Sequence, residues 1–507
     1  MSNPAKKKVL LQPMGVEVLA EPGASLRDVL FEQGVEFPCG GQGRCRGCKI
    51  LVHAGNFPIN DVQRDRLTES ELAAGWRLGC QGFVNDDLVI ELHQWDAAVL
   101  SNDSDFAFTP QEGYGVAVDI GTTTIVAQLL NLQTGRVLAV RTALNVQARH
   151  GADVMSRVQF STADGQQKVL ETAIRDQVGS LIRQLVKKTE IDADNLQKVV
   201  AVGNTVMHHL FCGIDVEPLS HVPFEPIDDG LQTLTATQLG WGFAPNATVY
   251  FLPCLGGFVG SDVLAGILAT GVHTSSDLVG LIDLGTNGEM VFGSGGNLIC
   301  ASTAAGPAFE GAMISCGMRA SSGAIWRVSN NGSGFHTEVL GDDEARGVCG
   351  SGLVDAVAVG LDIEQVGPSG RLAKGLDGLK LAENITLTQA DIRHLQLAKG
   401  AIAAGVHIIL KKLGTRASEV RKVYLAGAFG NYVNHDSARR IGLIEFDEKR
   451  LQASGNAALL GAKLALFTQG APDYSAVVQN IEHITLSSDP EFQDTYVDEM
   501  SFPADED

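Results

Sequence analysis

The sequence predicts a multidomain chain, with a small α+β domain followed by an α/β part of two similar lobes. Three observations lead to that expectation. At 507 residues the chain exceeds what one ordinary core encloses, and the length favours about three domains. The apolar run VAVDIGTTTIVAQLL, Val116 to Leu130, ends a strand on an acid and turns through Gly and three hydroxyl residues; its signature returns in LIDLGTNGEMVF, Leu281 to Phe292. Four cysteines, Cys39, Cys45, Cys48 and Cys80, fall close to the N-terminus, three of them inside one glycine-rich loop.

Charge and hydropathy exclude whole classes of function. A net charge of −21 repels a nucleic-acid backbone, so no nucleic acid is expected as partner. No uninterrupted apolar segment reaches the about 18 residues a membrane span needs. The opening MSNPAKKKVLLQPMG has a basic cluster followed by alternation, unlike the apolar core of a signal peptide. A cytoplasmic protein without membrane association is therefore expected. Nine cysteines are an odd total, which argues against a disulfide framework.

In the first domain, residues 1–93, Val9 and Leu11 and then Val16, Val18 and Ala20 alternate as hairpin strands do, and Ser25 to Gln33 reads as an N-capped helix. Cys39, Cys45 and Cys48 stand as C-x5-C-x2-C among glycines that let backbone N–H groups approach sulfur, and Cys80 follows in WRLGCQG. Four thiolates from one loop and one distant turn suit a two-iron cluster. Zinc is the alternative, although structural zinc usually joins two C-x2-C pairs and Cys80 stands alone. Residues 94–113 collect Asn, Asp, Ser and Pro and read as a linker, or as an arm held by Phe106 and Phe108.

Residues 114–225 are expected to form the first lobe. Val116, Ala117, Val118 and Ile120 make a buried strand, Gly121 permits the turn, and Thr122, Thr123 and Thr124 offer hydroxyls and N–H groups to phosphate. Asp119, at the strand end, is placed to hold magnesium or its water. A hairpin follows, then a long helix with Leu170, Ile174, Val178, Leu181 and Leu185 on one face, then a strand leading to Asn204 in a polar loop. His208 and His209, adjacent on a helix, are expected to face opposite ways, one packed and one solvated.

The second lobe, 226–488, follows the same plan. Asp262 stands near the start of a helix, and Asp283 precedes a loop of Gly285, Thr286, Asn287 and Gly288. Glu310 in AAGPAFEG is a candidate for the metal or the hydrolytic water, and Gly350 and Gly352 in CGSGLVDAVA for phosphate. In KVYLAGAFGNYVN a strand leads to Gly427, Gly430 and Asn431, where glycine lets a purine and ribose lie against backbone. Residues 326–397 read as an insertion with its own strands. Residues 489–507 form an acidic tail, solvated or docked through Phe492, Tyr496, Met500 and Phe502. Cys212, Cys254, Cys300, Cys316 and Cys349 contain no C-x2-C and read as buried small hydrophobes.

The cysteine pattern resembles plant-type [2Fe–2S] ferredoxins over roughly residues 8 to 95, with a first gap of five residues where theirs has four. That likeness implies an α+β ferredoxin-like (β-grasp) domain. The three loops, in order over roughly residues 114 to 470, resemble the acetate and sugar kinase, Hsp70 and actin superfamily, which implies an ATPase of two RNase H-like lobes. Over nearly the full chain the arrangement is similar to the reductive activators of corrinoid-dependent methyltransferases and corrinoid iron–sulfur proteins. This resemblance implies ATP-dependent reduction of cob(II)alamin to cob(I)alamin in a partner corrinoid protein or methyltransferase, an upstream low-potential electron donor, Mg2+ and a homodimer. It assigns Cys39, Cys45, Cys48 and Cys80 to the cluster, Asp119, Thr122, Thr123, Asp283, Thr286 and Asn287 to phosphate and magnesium, and Gly427, Gly430 and Asn431 to adenosine. The alternatives are a small-molecule kinase with a redox-sensing module, an activator of 2-hydroxyacyl-CoA dehydratases, and a switch of the Hsp70 type.

Overall fold

The computed structural model describes residues 6–12, 16–32, 43, 48–92, 108–163, 165–285, 287–320, 323–330, 332, 334–340, 344–430 and 433–504. Cys39, Cys45, Thr286 and Asn431 lie outside the described residues.

The N-terminal domain is a mixed five-stranded sheet. β1 (Lys7–Gln12) and β2 (Val16–Ala20) form the expected antiparallel hairpin, followed by helix α1 (Leu26–Glu32). β3 (Lys49–Ala54), β4 (Trp76–Leu78) and β5 (Leu88–Leu92) complete the order β2-β1-β5-β3-β4, with β1 and β5 parallel. Leu26, Val29 and Leu30 of α1 bury against Val9, Leu11, Ile50 and Ile90 of the sheet.

The first lobe is a six-stranded sheet: β6 (Tyr114–Ile120), β7 (Thr124–Asn131), β8 (Val137–Leu144), β9 (Leu196–Val202), β10 (Gln232–Thr235) and β11 (Thr248–Phe251), in the order β8-β7-β6-β9-β11-β10. β6, β7 and β8 meander antiparallel, while β9 and β11 continue parallel to β6. Central β6 is covered on both faces, which is why it reads as an almost continuous apolar run. Val116, Val118 and Ile120 face helices α2 (Val154–Thr162), α3 (Gln167–Thr189) and α4 (Thr205–Cys212), whereas Ala117 packs in a second core on the opposite face. The sequence division at 225/226 falls inside this sheet, because β10 and β11 hydrogen-bond within it. Phe108, near the end of the expected linker, packs against Phe467 with tilted rings and centroids 4.5 Å apart, so that end is docked; Phe106 lies outside the described residues.

After helix α5 (Ser261–Thr270) the plan recurs. β12 (Val279–Leu284), β13 (Gly288–Ser294) and β14 (Asn297–Thr303) meander antiparallel. A three-stranded sheet of β15 (Ala324–Asn330), β16 (Phe335–Val339) and β17 (Gly347–Val348) follows, then α6 (Gly350–Asp362), the hairpin β18 (Leu379–Ala382) and β19 (Ile385–Leu387), and α7 (Gln389–Lys412). β20 (Lys422–Ala426) and β21 (Leu451–Ala453) lie parallel to β12 on one side of the sheet, and β22 (Ile481–His483) pairs with β14 on the other. The stretch 326–397 does carry strands of its own, but α6 within it and α7, which begins near its end, fill the main core of the second lobe. They are integral to the lobe because their apolar faces, Val354, Val357, Leu395 and Ile402 among them, cover its sheet.

Helix α8 (Ala457–Leu466) joins the lobes: Ala458, Leu459, Ala462 and Leu466 pack in the core that contains Ala117, Val200 and Leu252 of the first sheet. It runs so close to α5 that a Cβ on Gly461 would lie 2.1 Å from Ala265 O. The chain closes with α9 (Phe492–Glu499), docked on α7 instead of solvated. Gln396 Nε2 donates to Met500 O (2.8 Å), Lys399 Nζ to Ser501 O (2.6 Å), and Phe502 is buried.

Replacing Gly461 with Leu should force α5 and α8 apart and destabilise the two lobes by about 2 kcal/mol or more, since overpacking costs about 1–3 kcal/mol. Chemical denaturation followed by circular dichroism reads this as a lowered first transition.

Candidate functional site

The two repeated hairpins lie at the ends of corresponding strands. Each is closed by a backbone bond from its glycine, Gly121 N to Thr124 O (3.1 Å) and, in a turn one residue shorter, Gly285 N to Asn287 O (3.0 Å). The first turn is so tight that a Cβ on Gly121 would sit 2.6 Å from Thr124 O.

Alternation along β6 sets the direction of Asp119. Ala117 faces α8, so Asp119, two residues on, faces it too. There Asn456, the N-cap of α8, receives Leu459 N–H and donates its own Nδ2 to Asp119 Oδ2 (2.9 Å). An acid at a helix N-terminus meets the positive end of the dipole. Asp283 occupies the corresponding place in β12, directly opposite Glu289 on β13. Asp262 joins them because Gly260 packs on Asn204, where a Cβ would lie 2.3 Å from Asn204 Cα, and Ser261 Oγ hydrogen-bonds Gly203.

Burial raises these carboxyls, and for Asp262, Asp283 and Glu289 repulsion from neighbouring carboxylates adds to it. Asp119 is pushed to about 6, with the Asn456 hydrogen bond acting the other way. Asp283 is pushed to about 7 by burial and by Asp119. Asp262 and Glu289 also move up through burial and neighbouring carboxylates. Among the described residues no three His, Cys, Asp or Glu side chains converge as an all-protein metal cage would. Magnesium is usually held without one, through one or two carboxylates, several waters and substrate phosphate. The residues present therefore fit that ion.

The loop threonines are anchored individually. Thr122 Oγ1 accepts from Asn204 Nδ2 (2.8 Å), and Thr122 O from the fully buried Arg157 Nη2 (2.5 Å). Burial pushes Arg157 down to about 9, which leaves it protonated at neutral pH. Thr123 Oγ1 donates to Glu310 Oε2 (3.4 Å). Gly427, at φ +83°, lies where a Cβ would be 2.6 Å from Asp283 Oδ1, so the loop at 427–430 abuts the second hairpin. Phe429 stacks on Phe309 beside Glu310, ring centroids 4.5 Å apart. Gly430 is buried under β20. Gly285 and Asn287 lie in the second turn, and Gly288 packs against Ile402. Gly350 and Gly352 have a packing reason: a Cβ would lie 1.9 Å from Phe309 O and 2.2 Å from Ile325 O.

Both histidines are buried, contrary to the expected division. His208 Nε2 bonds Gly230 O (3.1 Å), and the ring stands edge-on to Phe251. Burial drives His208 down to about 4, so it is neutral. Helix α4 is enclosed all round, leaving no solvated side for His209. Cys254, Cys300 and Cys349 are buried, and Cys212 and Cys316 partly so.

In the small domain, Cys48 is buried and Cys80 half-buried in a cluster with Leu67 and Leu78. Gly79 N donates to Cys48 O (2.9 Å), which ties the two ligand segments together, and Gln81 Nε2 lies 3.4 Å from Cys80 Sγ. Gly43, at φ +69°, closes this corner, where a Cβ would meet Gln81 Nε2 at 2.7 Å. Thiol donors beside side-chain N–H in a glycine-lined corner fit an iron–sulfur cluster.

A duplicated two-lobed α/β fold with paired Asp-x-Gly-Thr hairpins, joined to a cysteine-bearing mixed sheet, defines a nucleotide-phosphate-binding protein with an iron–sulfur module. Family models agree piece by piece. Residues 9–85 match the 2Fe-2S iron-sulfur cluster binding domain, 114–275 the RACo middle region, and 277–507 the C-terminal domain of RACo, the ASKHA domain. The chain is 34% identical over 414 residues to corrinoid activation enzyme RamQ of Eubacterium limosum, covering 76% of this chain and 69% of that one. It is 26% identical over 423 residues to the [Co(II) methylated amine-specific corrinoid protein] reductase of Methanosarcina barkeri, covering 77% of each. A solved structure described as a reductive activator for corrinoid, iron-sulfur protein superposes with a TM-score of 0.70 at 28% identity, covering 98% of both chains. The chain belongs to this RACo-type family of corrinoid activation enzymes.

The raised carboxyls set a sign for pH dependence. Folded Asp119 and Asp283 keep protons that the unfolded chain releases near 4, so their ionisation lowers stability as pH rises through about 4 to 7. Magnesium binds the ionised form. The magnesium-dependent part of the melting-temperature rise given by ADP should therefore grow from about pH 5.5 to about pH 7.5. Asp283→Asn should flatten that growth in a thermal-shift titration.

Proposed function

We propose that this chain uses ATP to drive one electron from its N-terminal domain to the cobalt of a partner corrinoid protein, converting cob(II)alamin to cob(I)alamin. The supporting observation is the union, in one chain, of a cysteine corner built for a [2Fe–2S] cluster with an interlobe cleft crowded by carboxylates. The names of the relatives point the same way.

When bound, a plant-type cluster supplies one electron near about −400 mV. Each ~59 mV uphill costs about tenfold in the equilibrium constant, so a lower-potential acceptor is reduced only with help. The chain's own residues provide that help electrostatically. Asp119 from the first lobe and Asp283 from the second repel across the junction when both are ionised. Asp119 and Asp283 would hold a phosphate-bound magnesium, whose positive charge would offset their repulsion and so favour closed lobes. A partner that binds the closed form better than the open one is then shifted by the nucleotide. Asn456 holds Asp119 at the N-terminus of α8, while Arg157 and Asn204 fix Thr122 for phosphate.

Homodimerisation, a low-potential upstream donor and a cytoplasmic setting complete the reading. No helix among the described residues is long and apolar enough to cross a membrane.

Reduced protein examined by electron paramagnetic resonance, with ATP-dependent cob(I)alamin formation on a corrinoid protein, tests it. Cys48→Ala and Cys80→Ala should each abolish the two-iron signal and the reduction while leaving nucleotide binding intact. Asp119→Asn should keep the signal and cut ATP turnover by about a hundredfold or more, the scale of losing metal-assisted charge stabilisation. Equal reduction with and without ATP would refute the coupling.

A further inference from the structure

Two arginines, one from each lobe, reach the small domain. Arg149 of the first lobe meets α1, its Nη2 3.5 Å from Asp28 O. Arg346 of the second lobe stands over the indole of Trp76 in β4, 5.9 Å from the ring centroid, and Lys49 Nζ lies 4.6 Å from the same centroid. Trp76 packs in turn on the cluster that contains Cys48, Leu78 and Cys80. We propose that the cysteine-bearing domain is seated across both lobes by these two arginines, and that closure of the lobes on nucleotide unseats it at Trp76, so that the partner protein gains access beside the cysteine corner. This inference rests on the ATP reading above.

Each arginine is built onto its own wall of the cleft. In the first lobe, Asn145 N donates to Thr123 O (2.8 Å) and its Nδ2 to Gly121 O (2.9 Å). The turn that Asn145 caps and Arg149 ends is therefore fastened to the first phosphate hairpin. In the second lobe, Arg346 N donates to Gly323 O (2.7 Å), and its side chain lies across Gly323, at φ +83°, where a Cβ would be 2.1 Å from Arg346 Nε. β17 then leads from Arg346 to Gly350, which abuts Phe309 O beside Glu310, the acceptor of the Thr123 hydroxyl (3.4 Å).

The small domain offers its two contact points as one rigid piece. Leu26 N of α1 donates to Gly82 O (2.9 Å), a Cβ on Gly79 would lie 3.0 Å from the Leu30 side chain, and Gly79 N donates to Cys48 O (2.9 Å). Asp28, Trp76 and the cysteine corner thus keep fixed places relative to one another. A rigid body that spans two supports fits one spacing between them, and lobes that move about a junction change that spacing. One hold is then lost. The chain runs on from this domain into β6 of the first lobe, so the domain stays with Arg149 and parts from Arg346. The Trp76 contact has little reserve, since a cation is drawn to a ring only within about 6 Å of its centroid.

Hydrogen–deuterium exchange of the full chain, read by mass spectrometry over residues 69–80, tests this. Arg346→Gln should speed exchange there by about twofold to fivefold, the worth of one exposed cation–π contact. AMPPNP with magnesium should give the same rise in the wild type and add nothing further in Arg346→Gln. Trp76→Leu should raise exchange over 344–350 in the second lobe, a reciprocal effect that serves if Arg346→Gln does not fold. Exchange over 69–80 that ignores Arg346→Gln, or that ignores AMPPNP shown by calorimetry to be bound, would overturn the inference while leaving the ATP reading standing. A wild-type chain that binds no AMPPNP would overturn both.

Discussion

The structure depends on a crowd of carboxylates at one low-dielectric junction. Asp119, Asp262, Asp283 and Glu289 come from four separate segments, and each is held up in pKa by burial before any neighbour acts. Such a cluster opposes folding when ionised, so the surrounding fold has to support it. It does so with Asn456 and the N-terminus of α8 at Asp119, and with Asn287 at Glu289. The support is partial. The remaining repulsion is what a magnesium ion and its phosphates remove, and that links charge at the junction to the relation between lobes.

The lobes can respond because their connection is a helix pair. α8 comes from the last part of the chain yet packs on the first sheet, and Gly461 allows it to lie on the backbone of α5. The N-cap of that same helix grips Asp119. One helix thus joins Asp119 to the α5–α8 contact, a packed pair of the kind that permits shear. The docked α9, tied through Lys399 and Gln396, stiffens α7 in the second lobe.

The parts of this plan that repeat, or that have ligand spacing, were legible in the sequence. Asp119 and Asp283 stood out because two hairpins carry one signature, and Cys48 and Cys80 because only the early cysteines have metal spacing. Contacts made across the fold left no local trace. Asn456 looks like any cap before an apolar helix, and Arg157 and Arg319 meet the loop from 35 and 195 residues away. Glu289 had a trace: six residues after Asp283 in a two-strand hairpin, it shares the acid's face. Gly350 and Gly352 carry two readings, because backbone packing and phosphate binding ask the same thing of a residue, the absence of a Cβ. The lobe boundary near 225 failed for a related reason. β10 and β11 are short and follow a long irregular stretch, so nothing local reveals that they rejoin the first sheet. The histidine pair failed because a helix enclosed on every side has no solvated face to offer.

Separating the redox corner from the nucleotide cleft has a thermodynamic consequence. Of the described residues, Cys48 and Cys80 lie in the small domain and Asp119 and Asp283 in the lobes, so a nucleotide at the junction would act on the electron's starting energy only through contacts between domains. What it does change is which lobe arrangement a partner meets. A corrinoid protein can then be moved toward its reducible state by as much as its two affinities, for closed and open lobes, differ, and by no more. A tenfold difference offsets about 59 mV for one electron, so a drop of a few hundred millivolts requires either several orders of magnitude in affinity or hydrolysis between successive states. The carboxylate crowd suits the second route. With no bound cation, ionised Asp119 and Asp283 would repel one another, which would favour open lobes and reset the device.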